Sequence, residues 1–372
     1  MKKSKIIIPC YWNKELLKKI VQINKQSDSI KIKEIYGSLA KSPIGHGRSP
    51  SSVVNVGKDN ALDFRNYTRT LGLDFIYLLN APFSFKNCHE KDSVKSYLDW
   101  VINEFSPDAL MIASYELMKF IRLNYSSNIR IYISTVAGVR NASQLEKYLD
   151  IKPTRVVPHH DVNRNYSDLK YLIQKAREWE IEIELMVTES CLRRCSSREA
   201  HYSHLGTGNS DEPFHTICNT KRIMHPSEIL NSNFIRPEDL IFYEKMGIDS
   251  FKITGRSKPA IWILEVAEAY IKRSYSGNLL RLLGVDPSLE LEKWIYLDNK
   301  ALEKFLENFP KNGREKDENI YCEEIISRLY VEKKFRVEDG TKYSINSRSS
   351  LVCDVYGKNV LSLLSIENKR KI

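Results

Sequence analysis

Between Thr188 and Cys218 the chain reads TESCLRRCSSREAHYSHLGTGNSDEPFHTIC, a stretch that holds three of its seven cysteines and three of its eight histidines. Thiolates are soft ligands suited to zinc or to iron–sulfur clusters. Cys191 and Cys195 are spaced C-x3-C, and on a helical turn that spacing puts both thiols on one face. Cys218 follows in a loop long enough to fold back on them. Arg193, Arg194 and Arg198 lie among the cysteines, where positive charge lowers a thiol pKa and offsets the charge of a thiolate-ligated centre. His201, His204 and His215 leave open a zinc site of three cysteines and one histidine. Cys10, at the end of the first expected strand, is the other candidate for a fourth ligand and would complete an all-cysteine cluster site.

Several chemistries are excluded by spacing. A radical-SAM site places a third cysteine where this chain has Arg198. A dithiol redox pair prefers C-x-x-C. A zinc-protease helix carries H-E-x-x-H, which is absent. No G-x-S-x-G elbow singles out a serine nucleophile.

The elements that must position these residues alternate regularly. Apolar runs at Lys5–Cys10, Ile32–Ser38, Asp74–Asn80, Asp108–Ser114, Arg130–Thr135, Thr154–His160, Glu182–Glu189 and Asp249–Arg256 are each followed by a helical pattern or a long loop. Short apolar runs alternating with helices predict a parallel α/β sheet, and eight such units suit a closed TIM-like (β/α)8 barrel. An open doubly wound sheet is the weaker fit, because no G-x-G-x-x-G follows the first strand. The barrel is expected over residues 1–277. A C-terminal α/β extension is expected over residues 278–372, ending in a frayed or surface-bound Ile366–Ile372.

In such a barrel functional groups come from the carboxyl ends of the strands. Strand six ends at His159, His160 and Asp161, with Asn163 and Arg164 just beyond; strand seven ends beside Cys191 and Cys195; strand eight carries Lys252 and Arg256. Lys252 and Arg256 are candidates to bind a carboxylate or phosphate, with a structural ion pair from Arg256 to Glu189 or Asp161 as the alternative. Asp161, Asn163 and Arg164 are candidates to orient substrate, with helix capping by Asp161 or Asn163 as the alternative.

The totals bound the class. A chain of 372 residues with 42% hydrophobic and 28% charged residues has an ordinary globular balance. The apolar run near the start, Ile6–Ile8, is too short for a signal-peptide core, and no run reaches the length of a membrane span. Seven cysteines in a chain this long do not make a secreted disulfide scaffold, so a reducing, cytoplasmic setting is expected. The net charge of +10 permits a polyanionic partner, but the lysines are spread and form no basic block.

Four segments carry a family resemblance. SFKITGRSKPAIWILEVAEAYIKRSY (Ser250–Tyr275) resembles the LKIEGR signature of the U32 family, historically labelled peptidases. FIRPEDLIFYEKMGI (Phe234–Ile248) is similar to that family's preceding segment; CLRRCSSREAHY and FHTIC sit where it carries its cysteines; VVPHHDVNRNYSDLKYL resembles the segment before them. The resemblance spans about Lys5 to Asn278. It implies a TIM-like barrel and a [4Fe–4S] cluster held by four cysteines, with zinc as the alternative occupant. It also implies oxygen-independent hydroxylation of RNA bases or a quinone precursor, the oxygen atom drawn from prephenate. Cys191, Cys195 and Cys218 match the family's cysteine region, whereas Cys10 follows from barrel geometry alone. Thr254 stands where the common motif has an acid, which marks a divergent branch. The expected function is an iron–sulfur modifying enzyme acting on a small molecule, RNA or peptide, with a protein partner or dimer possible. A metal-dependent hydrolase or peptidase and a noncatalytic iron–sulfur accessory subunit are the alternatives.

Overall fold

The computed structural model describes residues 4–84, 88–206, 213–285, 290–311 and 313–363; the expected frayed end, Ile366–Ile372, lies outside them. Eight parallel strands close into a barrel in chain order. They are β1 Ser4–Pro9, β2 Ile30–Gly37, β3 Asp74–Leu79, β4 Ala109–Ile112, β5 Ile131–Ile133, β6 Arg155–Val156, β7 Glu182–Met186 and β8 Ser250–Lys252. β8 pairs with both β7 and β1, which closes the ring. The expected (β/α)8 barrel is the fold. Local chemistry starts its helices: Asn13 accepts from the Leu16 N–H, Ser114 from that of Leu117 and Asn141 from that of Gln144, each satisfying an orphan donor of a first turn.

Strand alternation sends Ile7, Tyr36, Ile76, Leu78, Met111, Tyr132, Val157 and Met186 into the lumen. Register carries charges in with them. Ile7 lies level with Glu34 and Lys252, and Tyr132 level with Arg155, which is level with Glu182. Arg155 binds Glu34 at 2.5 Å, Glu182 at 2.7 Å and Glu184 at 2.8 Å, and stacks 4.0 Å from the centre of the Tyr132 ring. Lys5 reaches Glu34 at 2.9 Å and Glu182 at 2.8 Å. Lys252 lies 3.4 Å from Glu184. Three cations thus face three carboxylates inside the barrel, so each charge has an opposite partner.

Beyond the barrel, β9 (Ile295–Leu297) pairs antiparallel with β10 (Phe335–Val337), and β11 (Lys342–Ile345) with β12 (Leu351–Val355). The helix Glu315–Val331 buries Cys322, Ile326 and Leu329 in the same apolar cluster as the barrel helices. Arg164 joins the two parts. Its guanidinium lies 4.8 to 5.1 Å from the ring centres of Phe234, Phe305 and Phe309 and donates to the carbonyls of Leu230 and Phe234. Among the described residues no helix is long and apolar enough to cross a membrane.

Candidate functional site

Cys191, Cys195 and Cys218 line one cavity of about 250 Å³ at the carboxyl end of the barrel. The route by which they meet differs from the helical spacing expected. Turns at residues 193–194 and 196–197 follow a bend at Cys191, and Arg194 sits in the left-handed region at φ 52°. That conformation interrupts a helix, so the helix starts later, at Arg198. Cys218 comes from the helix Pro213–Met224 rather than a loop. Glu189 closes the first turn by accepting the Cys191 N–H at 2.8 Å.

Of the three arginines expected beside the thiols, Arg198 stays with them and Arg222 joins it. Arg193 and Arg194 turn away to Glu318. Arg222 donates to the Cys218 sulfur at 3.4 Å and to the Ser190 carbonyl. Arg198 acts on Cys191 through space. Burial, reinforced by the Glu189 carboxylate, raises the Cys191 thiol above its ordinary range, with Arg198 opposing. His201 and His215 line the same cavity.

Cys10 is not brought to this cavity. It lines a separate space of about 20 Å³ with Trp12, Tyr36, Gly37 and Arg256. A Cβ on Gly37 would sit 2.5 Å from its sulfur, so the thiol is packed flat against that glycine. Burial pushes its pKa up to about 12.

A second cavity, of about 60 Å³, opens over the barrel lumen with Lys252 among its lining residues. Lys252 contacts the Met111 sulfur at 3.1 Å and lies 4.2 Å from the centre of the Tyr36 ring. Burial lowers its pKa, against the pull of Glu184. Arg256 and Arg48 stand on the rim. Arg256 pairs with neither Glu189 nor Asp161; it donates to the ring and carbonyl of His46. Burial and the neighbouring Arg48 lower its pKa to about 9. The Thr254 hydroxyl shares a 2.8 Å hydrogen bond with that of Thr188. Sequence reasoning missed Arg48 and His46, although GHGR in the loop after β2 carries them.

Arg48, Glu189, Tyr202 and Thr254 line both cavities. Tyr202 also borders an outer cleft of about 680 Å³ that includes Cys195 and Arg140. A cavity of about 820 Å³ opens at the opposite end of the barrel, beside Ser4, Glu182 and Asp249, away from the face where strand carboxyl ends place chemistry.

Asp161 and Asn163 stand behind the site. Asp161 accepts from the Arg194 N–H at 3.3 Å, from Asn233 at 2.8 Å and from Arg140 at 3.3 Å. Asn163 is buried and donates to the carbonyls of Met186 and Asn233, both at 2.9 Å. Neither caps the following helix, whose N-cap position is Asn165. Among the described residues, His159, His160 and Asp161 gather potential ligand atoms within 4.8 Å of one another. Arg140 binds both His159 and Asp161, and Arg198 lies 3.6 Å from Asp161. Two guanidinium groups repel a metal cation there.

The thiol cavity offers three soft ligands to a metal centre. A buried Arg198 nitrogen, Nη1, has no hydrogen-bond partner in the protein, which suits an anionic centre.

Comparison with known proteins gives a family. The model of a family described as peptidase family U32 matches residues 55–276. The protein named uncharacterized protease MJ1657, from Methanocaldococcus jannaschii, is 27% identical over 270 residues, 71% of this chain and 79% of the relative. Among solved structures, the U32 peptidase Mk0906 aligns with a TM-score of 0.47 at 12% identity, over 68% of this chain and 94% of that one. A GH113 β-1,4-mannanase aligns with a TM-score of 0.37 at 11% identity, over 73% of this chain and 98% of that one.

Proposed function

This chain belongs to peptidase family U32, and from that premise we propose that it is an iron–sulfur enzyme that modifies a small anionic substrate, by oxygen-independent hydroxylation or a related reaction. The observation that carries the proposal is the shared wall. Arg48, Glu189, Tyr202 and Thr254 face both the three-thiol cavity and the cationic cavity over the barrel lumen. Cys191, Cys195 and Cys218 would hold a [4Fe–4S] cluster, its fourth position facing His201, His215 or Glu189 instead of Cys10. When bound, such a cluster supplies one-electron chemistry, at a potential set by charge, hydrogen bonds and exposure.

The remaining roles belong to this chain's own side chains. Arg48, Arg256 and Lys252 bind the anionic group of the substrate. Glu189, between the thiols and the lumen, is placed to hold or accept a proton at its Oε2. Tyr202 lines the inner cavities and the outer cleft alike, where its ring would limit water.

Anaerobic purification with iron, sulfide and zinc determination tests the reading. It expects about four irons and four sulfides per chain, with a broad visible absorption. Zinc alone, or no metal in protein with reduced thiols, would overturn it. A stable cluster with no turnover of any anionic substrate would point to an accessory subunit.

A peptidase reading rests on the protease name of the relative, with a His160–Asp161 proton relay as its one candidate in this chain. Hydrolysis of peptides by protein stripped of iron, lost on replacing His160 by Ala, would favour it.

A further inference from the structure

We infer that the C-terminal helix Glu315–Val331 clamps the thiol-bearing turn through Glu318, which makes Glu318 a positioning residue for Cys191 and Cys195. Its carboxylate is fully buried. One oxygen accepts from Arg193 and the other from Arg194, both at 2.8 Å. These two arginines are adjacent in the chain and lie between the two cysteines.

The turn is gripped from the opposite side as well. Asp161 accepts the Arg194 N–H at 3.3 Å, and Asn233 bridges Asp161 at 2.8 Å to Arg193 at 3.4 Å. Asn319, next to Glu318, accepts from Asn231 at 3.0 Å. Between these grips Arg194 holds its left-handed backbone, a conformation that persists where surrounding contacts over-determine it. Glu318 also lies in the first turn of its helix, where the helix dipole favours a negative charge. The helix therefore brings a stabilised carboxylate to a turn that carries two cations.

Removing the Glu318 charge leaves the Arg193 guanidinium buried without a carboxylate. A buried charge that loses its partner is strongly unfavourable, so the turn has to open for Arg193 to reach water. The effect falls on the spacing of Cys191 and Cys195, more than a hundred residues away in sequence. The metal-binding consequence rests on the function proposed above; the effect on the thiols does not.

The test uses the full chain, metal-free and reduced. Alkylation of Cys191 and Cys195 by iodoacetamide is followed by peptide mass mapping. Glu318→Gln is expected to speed it about tenfold, as for a turn that opens locally. Glu323→Gln, on the same helix, should leave it unchanged. Equal rates in Glu318→Gln and the parent protein would overturn the inference. If Glu318→Gln does not fold, Glu318→Asp, whose carboxylate stops one methylene short of the two arginines, is read in the same way. After reconstitution with ferrous iron and sulfide, Glu318→Gln should also lose iron to a chelator about tenfold faster. Failure of the parent protein to take up iron would count against the proposed function while the alkylation result still decides the clamp.

Discussion

Arg256 donates to two atoms of His46, the ring Nδ1 at 3.1 Å and the backbone carbonyl at 2.6 Å. The other ring nitrogen of His46 lies 3.1 Å from the Ala40 carbonyl, so the imidazole is neutral, with its proton on Nε2. Arg256 is therefore a half-buried cation solvated by a neutral ring and a carbonyl, with Arg48 close enough to depress its pKa. Burying such a charge without an anion is costly, and the cavity beside it supplies the place for one.

Small dianions should stabilise the protein through this pair. Malonate or phosphate at a hundredfold excess over its Kd is expected to add about 2.7 kcal/mol. Arg256→Gln should fold with little loss of stability, because it removes an uncompensated charge, and should abolish the anion effect. Thermal unfolding with and without malonate checks both. An unchanged malonate response in Arg256→Gln would remove Arg256 from the anion site.

Acid should destabilise the fold in two steps. Burial, with Arg256 nearby, lowers His46 from 6.5 to about 3, and burial lowers His159 to about 4. Between those values and 6.5 the unfolded chain binds protons that the folded chain refuses. Stability then falls as pH drops, by up to ~1.4 kcal/mol per pH unit for each histidine. Glu34 acts lower down. Burial raises its pKa, but Arg155 and Lys5 outweigh that and hold it at about 2. Its contribution is present above the unfolded value of 4.5 and is lost as pH falls towards 2. Urea midpoints from pH 8 to 4 measure the first step, and His46→Gln should flatten the slope below pH 6.5.

The barrel was legible because its strands are short apolar runs at regular spacing, and Glu182–Met186 or Asp74–Leu79 read as strands on composition alone. The lumen was not. Glu34, Arg155 and Glu184 alternate with apolar residues, and a charge at alternate positions ordinarily marks a solvent face. That these faces meet inside depends on registers between strands far apart in the chain. The helix Lys58–Thr70 was passed over within the long connection after β2 because it is short of large apolar residues; it buries Ala61, Phe64, Arg65 and Thr68. The three thiols were legible as a group. The partners of Arg193 and Arg194 were not, because Glu318 comes from a helix that sequence left without a role.

The luminal ion network gives a sharper test of the fold. Arg155→Met would deprive Glu34, Glu182 and Glu184 of a shared partner. A loss of ~3–5 kcal/mol is expected for a broken buried pair, read as a lower urea midpoint at unchanged m-value. Adding Glu34→Gln should recover part of it, because the neutral amide no longer needs the guanidinium. If the double variant is no more stable than Arg155→Met, the two residues are not coupled.

Cys10 and Cys218 separate two accounts of the ligand shell. Cys218 shares its cavity with Cys191 and Cys195, whereas Cys10 lies in a small space of its own against Gly37. Reaching the thiol cavity would require Cys10 to leave that packing and pass Tyr36 and Arg256, which wall its space. Cys10→Ala deletes a buried sulfur and should cost ~1 kcal/mol through the void left behind, while iron and sulfide content stay at the parent level. Cys218→Ala removes a thiolate from the cavity and should prevent a four-iron cluster from assembling, with the far-ultraviolet circular dichroism unchanged. Iron analysis of the two variants after anaerobic reconstitution decides between them. Loss of the cluster in Cys10→Ala, with Cys218→Ala fully loaded, would mean that the metal lies on the other side of the barrel mouth and that the three-thiol cavity serves another purpose.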